Sequence, residues 1–151
     1  MEHPKSILLA EDNPEDVELT LAAFSEYNFE NDVVVARDGA EALDYLYARG
    51  SFQKRPPGNP TVILLDINMP KVNGLEVLRT IKGDETLKTI PVIIMTTSQQ
   101  EAHIAESRAL GVNAYIEKPV NFREFILSIK GLGIFWTLLN EPPPENLDKL
   151  K

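Results

Sequence analysis

The chain lacks several residue types that carry particular chemistries. It has no cysteine, so disulfides, thiolate nucleophiles and cysteine-based metal sites are excluded. Its two histidines, His3 and His103, stand in no motif of their own. No run reaches the ~18 apolar residues that a membrane span needs, and residues 1–5 have no apolar targeting core. We therefore expect a cytoplasmic protein without a membrane segment.

Positive charge is also scarce. The sequence has 15 lysines and arginines against 23 aspartates and glutamates, a formal net charge of -8. No basic stripe is present to neutralise phosphates, so direct nucleic-acid binding is not expected. A chain of 151 residues with 43% hydrophobic content fits one globular domain plus a tail. We expect a domain over residues 1–140 and a Pro-rich tail over residues 141–151.

Short apolar runs recur along the sequence between residues 7 and 116. They are continuous rather than alternating, which is typical of strands buried on both faces. The runs occupy residues 7–10, 33–36, 62–65, 92–95 and 114–116. Segments with helical periodicity lie between them. Five strands alternating with helices predict an α/β fold with a doubly wound, five-stranded parallel sheet.

The helix boundaries carry local signals that agree with this fold. Asn13 followed by Pro14 predicts an N-cap and a first helical residue. Glu15 and Asp16 would then lie in the first turn, where the helix dipole favours negative charge. Asn121 predicts the start of the last helix in the same way. That helix is expected to run from Asn121 to residue 140, where three prolines stop it.

Acidic, hydroxyl and basic side chains follow four of the five apolar runs. Carboxyl ends of parallel strands meet at one edge of a sheet, where open α/β sheets place their ligands. The residues concerned are Glu11 and Asp12 after the first run, Asp66 after the third, Thr96 after the fourth and Lys118 after the fifth. Taken singly, such an acid usually caps a helix and such a lysine usually lies on the surface. Their coincidence at one edge indicates a site.

The residue types at this edge suggest metal-assisted phosphoryl chemistry. Three close carboxylates repel one another, and burial raises their pKa values unless a cation compensates. Oxygen ligands without histidine or cysteine favour Mg²⁺, with Mn²⁺ as a possible substitute. Asp66 is the candidate nucleophile, because a carboxylate that attacks phosphorus forms an acyl phosphate. Lys118 and Thr96 would stabilise the phosphoryl oxygens.

Together these residues resemble the receiver domain of two-component response regulators over about residues 5–130. The motifs that carry the resemblance are Glu11-Asp12, residues 65–70 with Gly74, residues 91–96, Gly111 and Lys118-Pro119. The resemblance implies a flavodoxin-like receiver fold and a phosphoacceptor signalling protein rather than an enzyme. It also implies a phosphorelay in which a sensor histidine kinase supplies the phosphoryl group.

The resemblance further implies a role for each matching residue. Asp66 would be the phosphoacceptor and Asp12 a direct Mg²⁺ ligand. Glu11 would act on the metal largely through bound water, and the backbone carbonyl of Asn68 would complete the metal shell. Glutamate at position 11 is a familiar variant of the aspartate found there in many members.

Thr96 and Tyr115 would connect phosphorylation to a change of surface. Thr96 and Lys118 would contact the phosphoryl group, and Tyr115 would change rotamer as Thr96 moves. Nothing after the receiver resembles an output domain. We therefore expect a single-domain regulator whose output is a switch between two packings.

A narrower resemblance is to the single-domain regulators that partner bacterial and cyanobacterial phytochrome kinases. It is carried by residues 95–98, by the Pro-rich loop of residues 50–60, and by Phe135-Trp136 before a Pro-rich tail. The loop is locally basic and is expected at the surface. Those relatives are commonly dimers.

The last helix has apolar residues around nearly its whole circumference, which implies a second covering surface. A symmetric homodimer would cover it, and a tail that folds back would also do so. The candidate interface residues are Phe135, Trp136, Leu138 and Leu139.

Three other functions compete with this interpretation. A Mg²⁺-dependent phosphatase with an aspartate nucleophile needs a second acid two residues later, where this chain has Asn68. A flavin-binding module of similar topology needs a phosphate-cradling loop after the first strand, and the acids of residues 11–16 would repel phosphate. A receiver-like interaction module that is never phosphorylated usually lacks part of the cluster, and this chain has all of it.

Overall fold

The computed structural model describes residues 6–26, 33–96, 106–112 and 114–133. Within these residues one five-stranded sheet has the order β2-β1-β3-β4-β5. All neighbouring strands are parallel, so the predicted fold class is confirmed. The strands are β1 (Ile7–Ala10), β2 (Val33–Ala36), β3 (Val62–Asp66), β4 (Val92–Thr96) and β5 (Ala114–Glu117).

Helices follow the strands. They are α1 (Pro14–Ser25), α2 (Gly39–Leu46), α3 (Gly74–Lys82) and α5 (Phe122–Gly131), and residues 106–109 are the described part of α4. Asparagine or aspartate side chains cap the N-termini of four of them, α1, α2, α3 and α5. The predicted caps are confirmed: Asn13 accepts from the N–H groups of two first-turn residues of α1, and Asn121 accepts from Glu124 N. No helix in the described part of the chain is long and apolar enough to cross a bilayer.

The sheet separates two hydrophobic cores. Side chains alternate along β3, so Ile63 and Leu65 pack on the side of α2 and α3, whereas Val62 and Leu64 pack on the side of α1 and α5. On the second side the rings of Phe24 in α1 and Phe125 in α5 lie 4.6 Å apart between centroids. Ring pairs of this kind add to the stabilisation from burial. Helix α5 is thereby held beside α1.

The edge strands are less buried than their sequences suggest. Strands β1, β3 and β4 are buried along their whole length, whereas three of the four residues of β2 and two of β5 are only half-buried. A continuous apolar run therefore indicated a strand correctly in all five cases. It overstated burial at the edges, where a strand has a neighbour on one side only.

The last helix differs from its prediction. Helix α5 ends at Gly131, with Leu132 as the C-cap, and Gly133 has φ of 77°. A left-handed residue ends a helix because the next turn cannot continue from it. The prediction that this helix continues to residue 140 is therefore wrong. Residues 134–151 lie outside the described part of the chain, so the boundary between domain and tail stays a prediction.

The predicted surface loop of residues 50–60 packs on α2 through Phe52 and Arg55, and the Phe52 ring lies 5.2 Å from the Tyr45 ring between centroids. It contains a short 3-10 helix, Gly50–Phe52. The guanidinium of Arg55 lies 4.4 Å above the Tyr45 ring and its Nε donates to the Tyr45 carbonyl at 2.6 Å. Much of the local basic charge thus serves the loop's own structure.

Candidate functional site

Strand register brings the predicted acids together. Ala10 in β1 pairs with Leu65 in β3, so the residues that follow them, Glu11 and Asp66, are neighbours at the carboxyl edge of the sheet. Both continue the alternation that points towards α1 and α5. One carboxylate oxygen from each of Glu11, Asp12 and Asp66 lies within 4.8 Å of the other two. Such spacing allows one divalent ion to be bound by all three.

Lys118 reaches the same edge from β5. Its backbone N donates to the Thr96 carbonyl at 2.8 Å, and the Lys118-Pro119 peptide is cis. Its Nζ lies 2.7 Å from Glu11 Oε1, 3.1 Å from Asp66 Oδ2 and 3.4 Å from Asp16 Oδ2. The first two contacts join the predicted lysine to the predicted acids. Sequence reasoning missed the third, because it assigned Asp16 only to the dipole of α1.

Burial differs sharply among these charged groups. The side chains of Glu11 and Asp66 are 1% and 3% exposed and that of Lys118 is 15% exposed, whereas Asp12 is exposed. Asp12 therefore lies on the open side of the cluster. A ligand that approaches from solvent meets Asp12 first and the Asp66 carboxylate behind it.

The pKa values of Glu11 and Lys118 reflect the excess of acidic groups in the cluster. Burial raises the pKa of Glu11 from 4.5 to about 8, helped by its hydrogen bond and charge interaction with Asp66, and the contact with Lys118 only partly opposes this. Burial disfavours the charged form of Lys118, but the contact with Glu11 and the charge of Asp66 outweigh it, so its pKa is raised. One ammonium therefore does not neutralise the acids.

Glu11 is also short of hydrogen bonds. Its Oε2 accepts from Asn13 N at 3.2 Å. Its Oε1 forms the ion pair with Lys118, but no described group gives it a hydrogen bond of normal geometry. A buried carboxylate oxygen normally has such a partner. Hard oxygen donors, excess negative charge and this unsatisfied atom all fit a divalent cation.

The segment after β3 fixes the position of Asp66. Asn68 N donates to Asp66 Oδ1 at 3.3 Å, and Gly74 N donates to the Ile67 carbonyl at 2.8 Å. A Cβ atom on Gly74 would lie 2.2 Å from the Asp66 carbonyl oxygen. Glycine is therefore required at position 74 for α3 to begin against the end of β3.

Thr96 and Tyr115 lie on the opposite face of the sheet from Asp66. Thr96 is buried at the end of β4, one residue beyond Met95, which pairs with Asp66. The Tyr115 ring packs against the core of α2 and α3, and its hydroxyl donates to the Val112 carbonyl at 3.0 Å. Alternation places both side chains on this face. The predicted interface residues Phe135, Trp136, Leu138 and Leu139 lie outside the described residues.

Comparison with known proteins agrees with this geometry. The model of the family described as response regulator receiver domain matches residues 7–130. Response regulator Rcp1 of Synechocystis is 37% identical over 133 residues, which is 88% of this chain and 89% of Rcp1. The structure of Rcp1 bound to Mn²⁺ has a TM-score of 0.71 at 36% identity, covering 93% of this chain and 99% of Rcp1.

Two further solved structures are similar. The bacteriophytochrome response regulator AtBRR has a TM-score of 0.83 at 54% identity, over 93% of this chain and all of AtBRR. The phosphorylated cyanobacterial phytochrome response regulator RcpA has a TM-score of 0.71 at 41% identity, over 89% of this chain and 95% of RcpA.

The chain belongs to the response regulator receiver family. It is a phosphoacceptor signalling protein of two-component systems rather than an enzyme, which confirms the predicted class. The acidic pocket of Glu11, Asp12 and Asp66 is of the Mg²⁺-binding receiver type, so the predicted metal is confirmed as well.

Proposed function

We propose that Asp66 accepts a phosphoryl group from a partner histidine kinase and that this switches the surface of the protein. The observation that carries the proposal is the position of Asp66. Its carboxylate is buried at the carboxyl edge of the sheet, within reach of two further acids and of the Lys118 ammonium. A nucleophile held in this way is aligned for attack before the donor arrives.

The proposed transfer is a displacement at phosphorus. An oxygen of the Asp66 carboxylate attacks, the new P–O bond forms an acyl phosphate, and the P–N bond to the donor histidine breaks. The histidine nitrogen keeps the electron pair of the broken bond and takes up a proton. The attacking carboxylate oxygen supplies the electron pair of the new bond. Hydrolysis of the acyl phosphate later returns the protein to its starting state.

Mg²⁺ would be held by Asp12, Asp66 and the backbone carbonyl of Asn68, with Glu11 acting through water. Mn²⁺ could replace it. A divalent ion offsets the charge that builds up on the attacking and transferring oxygens. The fit rests on the donor set of this chain, since all three carboxylates offer hard oxygens and Glu11 has one that is unsatisfied.

Lys118 and Thr96 would contact the phosphoryl oxygens from two sides. Lys118 Nζ already lies 3.1 Å from Asp66 Oδ2, where it would meet the new group without a long movement. Thr96 would be drawn towards the phosphoryl group, and Tyr115, on the same face of the sheet, would change rotamer into the space that Thr96 leaves. Such a coupled pair gives the two packings that a switch requires.

The proposed partner is a histidine kinase of the phytochrome type. Several similar structures are described as bacteriophytochrome or phytochrome response regulators, and the similarity covers nearly the whole of each chain. A kinase of this type uses ATP, so we place the protein in the cytoplasm. We propose that the signal leaves through the receiver surface itself.

We also propose a homodimer formed through the segment that follows α5. Support comes from the sequence, where Phe135, Trp136, Leu138 and Leu139 leave more apolar surface than one core contact covers. Leu127 in α5 is 60% exposed, so apolar surface already begins on the described part of this helix.

Phosphorylation by acetyl phosphate tests the central proposal. Wild-type protein with Mg²⁺ should gain one phosphoryl group in intact-protein mass spectrometry, and chelation of Mg²⁺ should prevent the gain. Asp66→Asn should remove labelling, because an amide oxygen is a poor nucleophile. Asp44→Asn, a matched change at the exposed partner of Arg49, should label normally. Undiminished labelling of the Asp66 variant would show that the phosphoacceptor lies elsewhere.

A further inference from the structure

Lys118 contacts a third acid that the function proposed above does not use. Asp16 lies in the first turn of α1, and its Oδ2 accepts a hydrogen bond from Lys118 Nζ at 3.4 Å. The Asp16 side chain is 27% exposed, against 1% and 3% for the other two acids at this lysine. The contact therefore closes the solvent side of the ammonium.

The position of Asp16 is set by α1 and not by the lysine. Asn13 Oδ1 accepts from Asp16 N at 3.4 Å, and Thr20 Oγ1 donates to the Asp16 carbonyl at 2.8 Å. The backbone on both sides of this residue is thus fixed by helix contacts. Lys118 comes to it from β5, at the other end of the sequence. A carboxylate carried on a backbone that is fixed in this way can act as a tether for the lysine.

Asp16 also differs from the other two acids in what happens to it during phosphorylation. Glu11 and Asp66 belong to the acidic cluster that fits a divalent ion, and Asp16 does not. Glu11 would face the metal through water, and phosphorylation would convert the Asp66 carboxylate into an acyl phosphate. Asp16 is the acid at Lys118 that neither event consumes.

We propose that Asp16 is a positioning residue that holds the Lys118 ammonium at the site throughout the phosphorylation cycle. The inference rests on the proposed role of Asp66 as phosphoacceptor. The tether would persist when Asp66 is converted into an acyl phosphate, because Asp16 takes no part in the chemistry at phosphorus. An untethered lysine has many rotamers, and each rotamer that leaves the site removes a charge from the transferring phosphoryl group.

The direction in which Asp16→Asn changes the phosphorylation rate distinguishes this role from simple charge repulsion. A carboxylate near the entrance repels a negatively charged phosphodonor, so by repulsion alone Asp16→Asn would speed phosphorylation. The tether predicts the opposite. The variant should be phosphorylated more slowly, because loss of the contact with Lys118 outweighs the removal of one negative charge.

The experiment measures the phosphorylation rate of wild type, Asp16→Asn, Asp16→Glu and Glu15→Gln across acetyl phosphate concentrations with saturating Mg²⁺. The maximal rate of Asp16→Asn should fall about three- to tenfold, while its half-saturating donor concentration does not rise. Asp16→Glu keeps the charge and should recover most of the rate. Glu15→Gln removes an exposed acid from the same helix turn and should match wild type, which excludes an effect of the helix dipole.

A double-mutant comparison tests whether Asp16 acts through the lysine. In a Lys118→Met background the ammonium group is absent. Asp16→Asn should therefore cause no further slowing of phosphorylation there. Additive slowing in that background would overturn the proposal, as would a wild-type or faster rate for Asp16→Asn alone, or no recovery in Asp16→Glu. Asp16→Ser repeats the test if the asparagine variant does not fold. Labelling that persists in Asp66→Asn would instead contradict the proposed function.

Discussion

Glu11 should make the metal-free protein less stable as pH rises. Its folded pKa of about 8 lies above the ordinary 4.5, so the folded state keeps a proton that the unfolded state has lost between these values. Stability then falls with rising pH across this window. Below pH 4.5 Glu11 is protonated in both the folded and the unfolded state, so it does not lower the free energy of unfolding. Above about pH 8 the loss of stability is complete.

The size of the effect follows from the same two pKa values. Each pH unit of the window lowers the free energy of unfolding by at most about 1.4 kcal/mol. The whole window therefore lowers it by at most about 5 kcal/mol. Relaxation of the protein around a buried charge reduces such costs. We expect the free energy of unfolding to fall by about 2 kcal/mol between about pH 5.5 and about pH 8. Lys118 does not add to this slope, because its raised pKa keeps it charged throughout the window.

Urea unfolding followed by circular dichroism measures the effect. Wild type in the presence of a chelator should lose stability over this pH range, and Glu11→Gln should give a flatter line, because an amide cannot take up or release the proton. The slopes are compared rather than the absolute stabilities, since the variant also weakens the contact with Lys118. Glu15→Gln, an exposed acid changed in the same way, should retain the wild-type slope.

Mg²⁺ provides the second half of this test. The ion binds the ionised acids, so the stabilisation it gives should grow with pH and should oppose the wild-type slope. Equal slopes of unfolding free energy against pH for wild type and Glu11→Gln in the chelator would refute the reasoning. The proton on Glu11 would then not be the cause of the loss of stability.

Two other changes probe the support of the site and the oligomeric state. Gly74→Ala should destabilise the protein by about 2–4 kcal/mol and slow its labelling, because the new Cβ would press on the Asp66 carbonyl; Gly131→Ala, with open space around its Cβ, should cause no comparable loss in urea unfolding. Replacing Phe135 and Trp136 with serine should shift the protein towards monomer in sedimentation velocity, and an unchanged sedimentation profile would contradict the proposed interface.

The sequence alone determined the sheet and the composition of the site. Buried strands need continuous apolar runs, and helix starts need capping side chains next to them, so both leave local signals that can be read residue by residue. The acids and the lysine were readable because each lies at the end of a strand or within two residues after it. Parallel strands carry such residues to one edge whatever the details of packing.

Only the tertiary structure decided how the charges are divided within that edge. Glu11 and Asp12 are adjacent in sequence, yet one is buried and the other exposed, because the direction of a side chain at a strand end depends on the neighbouring strand. The contact between Asp16 and Lys118 joins α1 to β5 through the packing of α5 on α1, and no local pattern encodes it. The end of α5 at Gly131 was likewise hidden by apolar residues that continue past it. Local signals therefore specify which groups reach the site, while burial and long-range contacts determine which of them carry charge there.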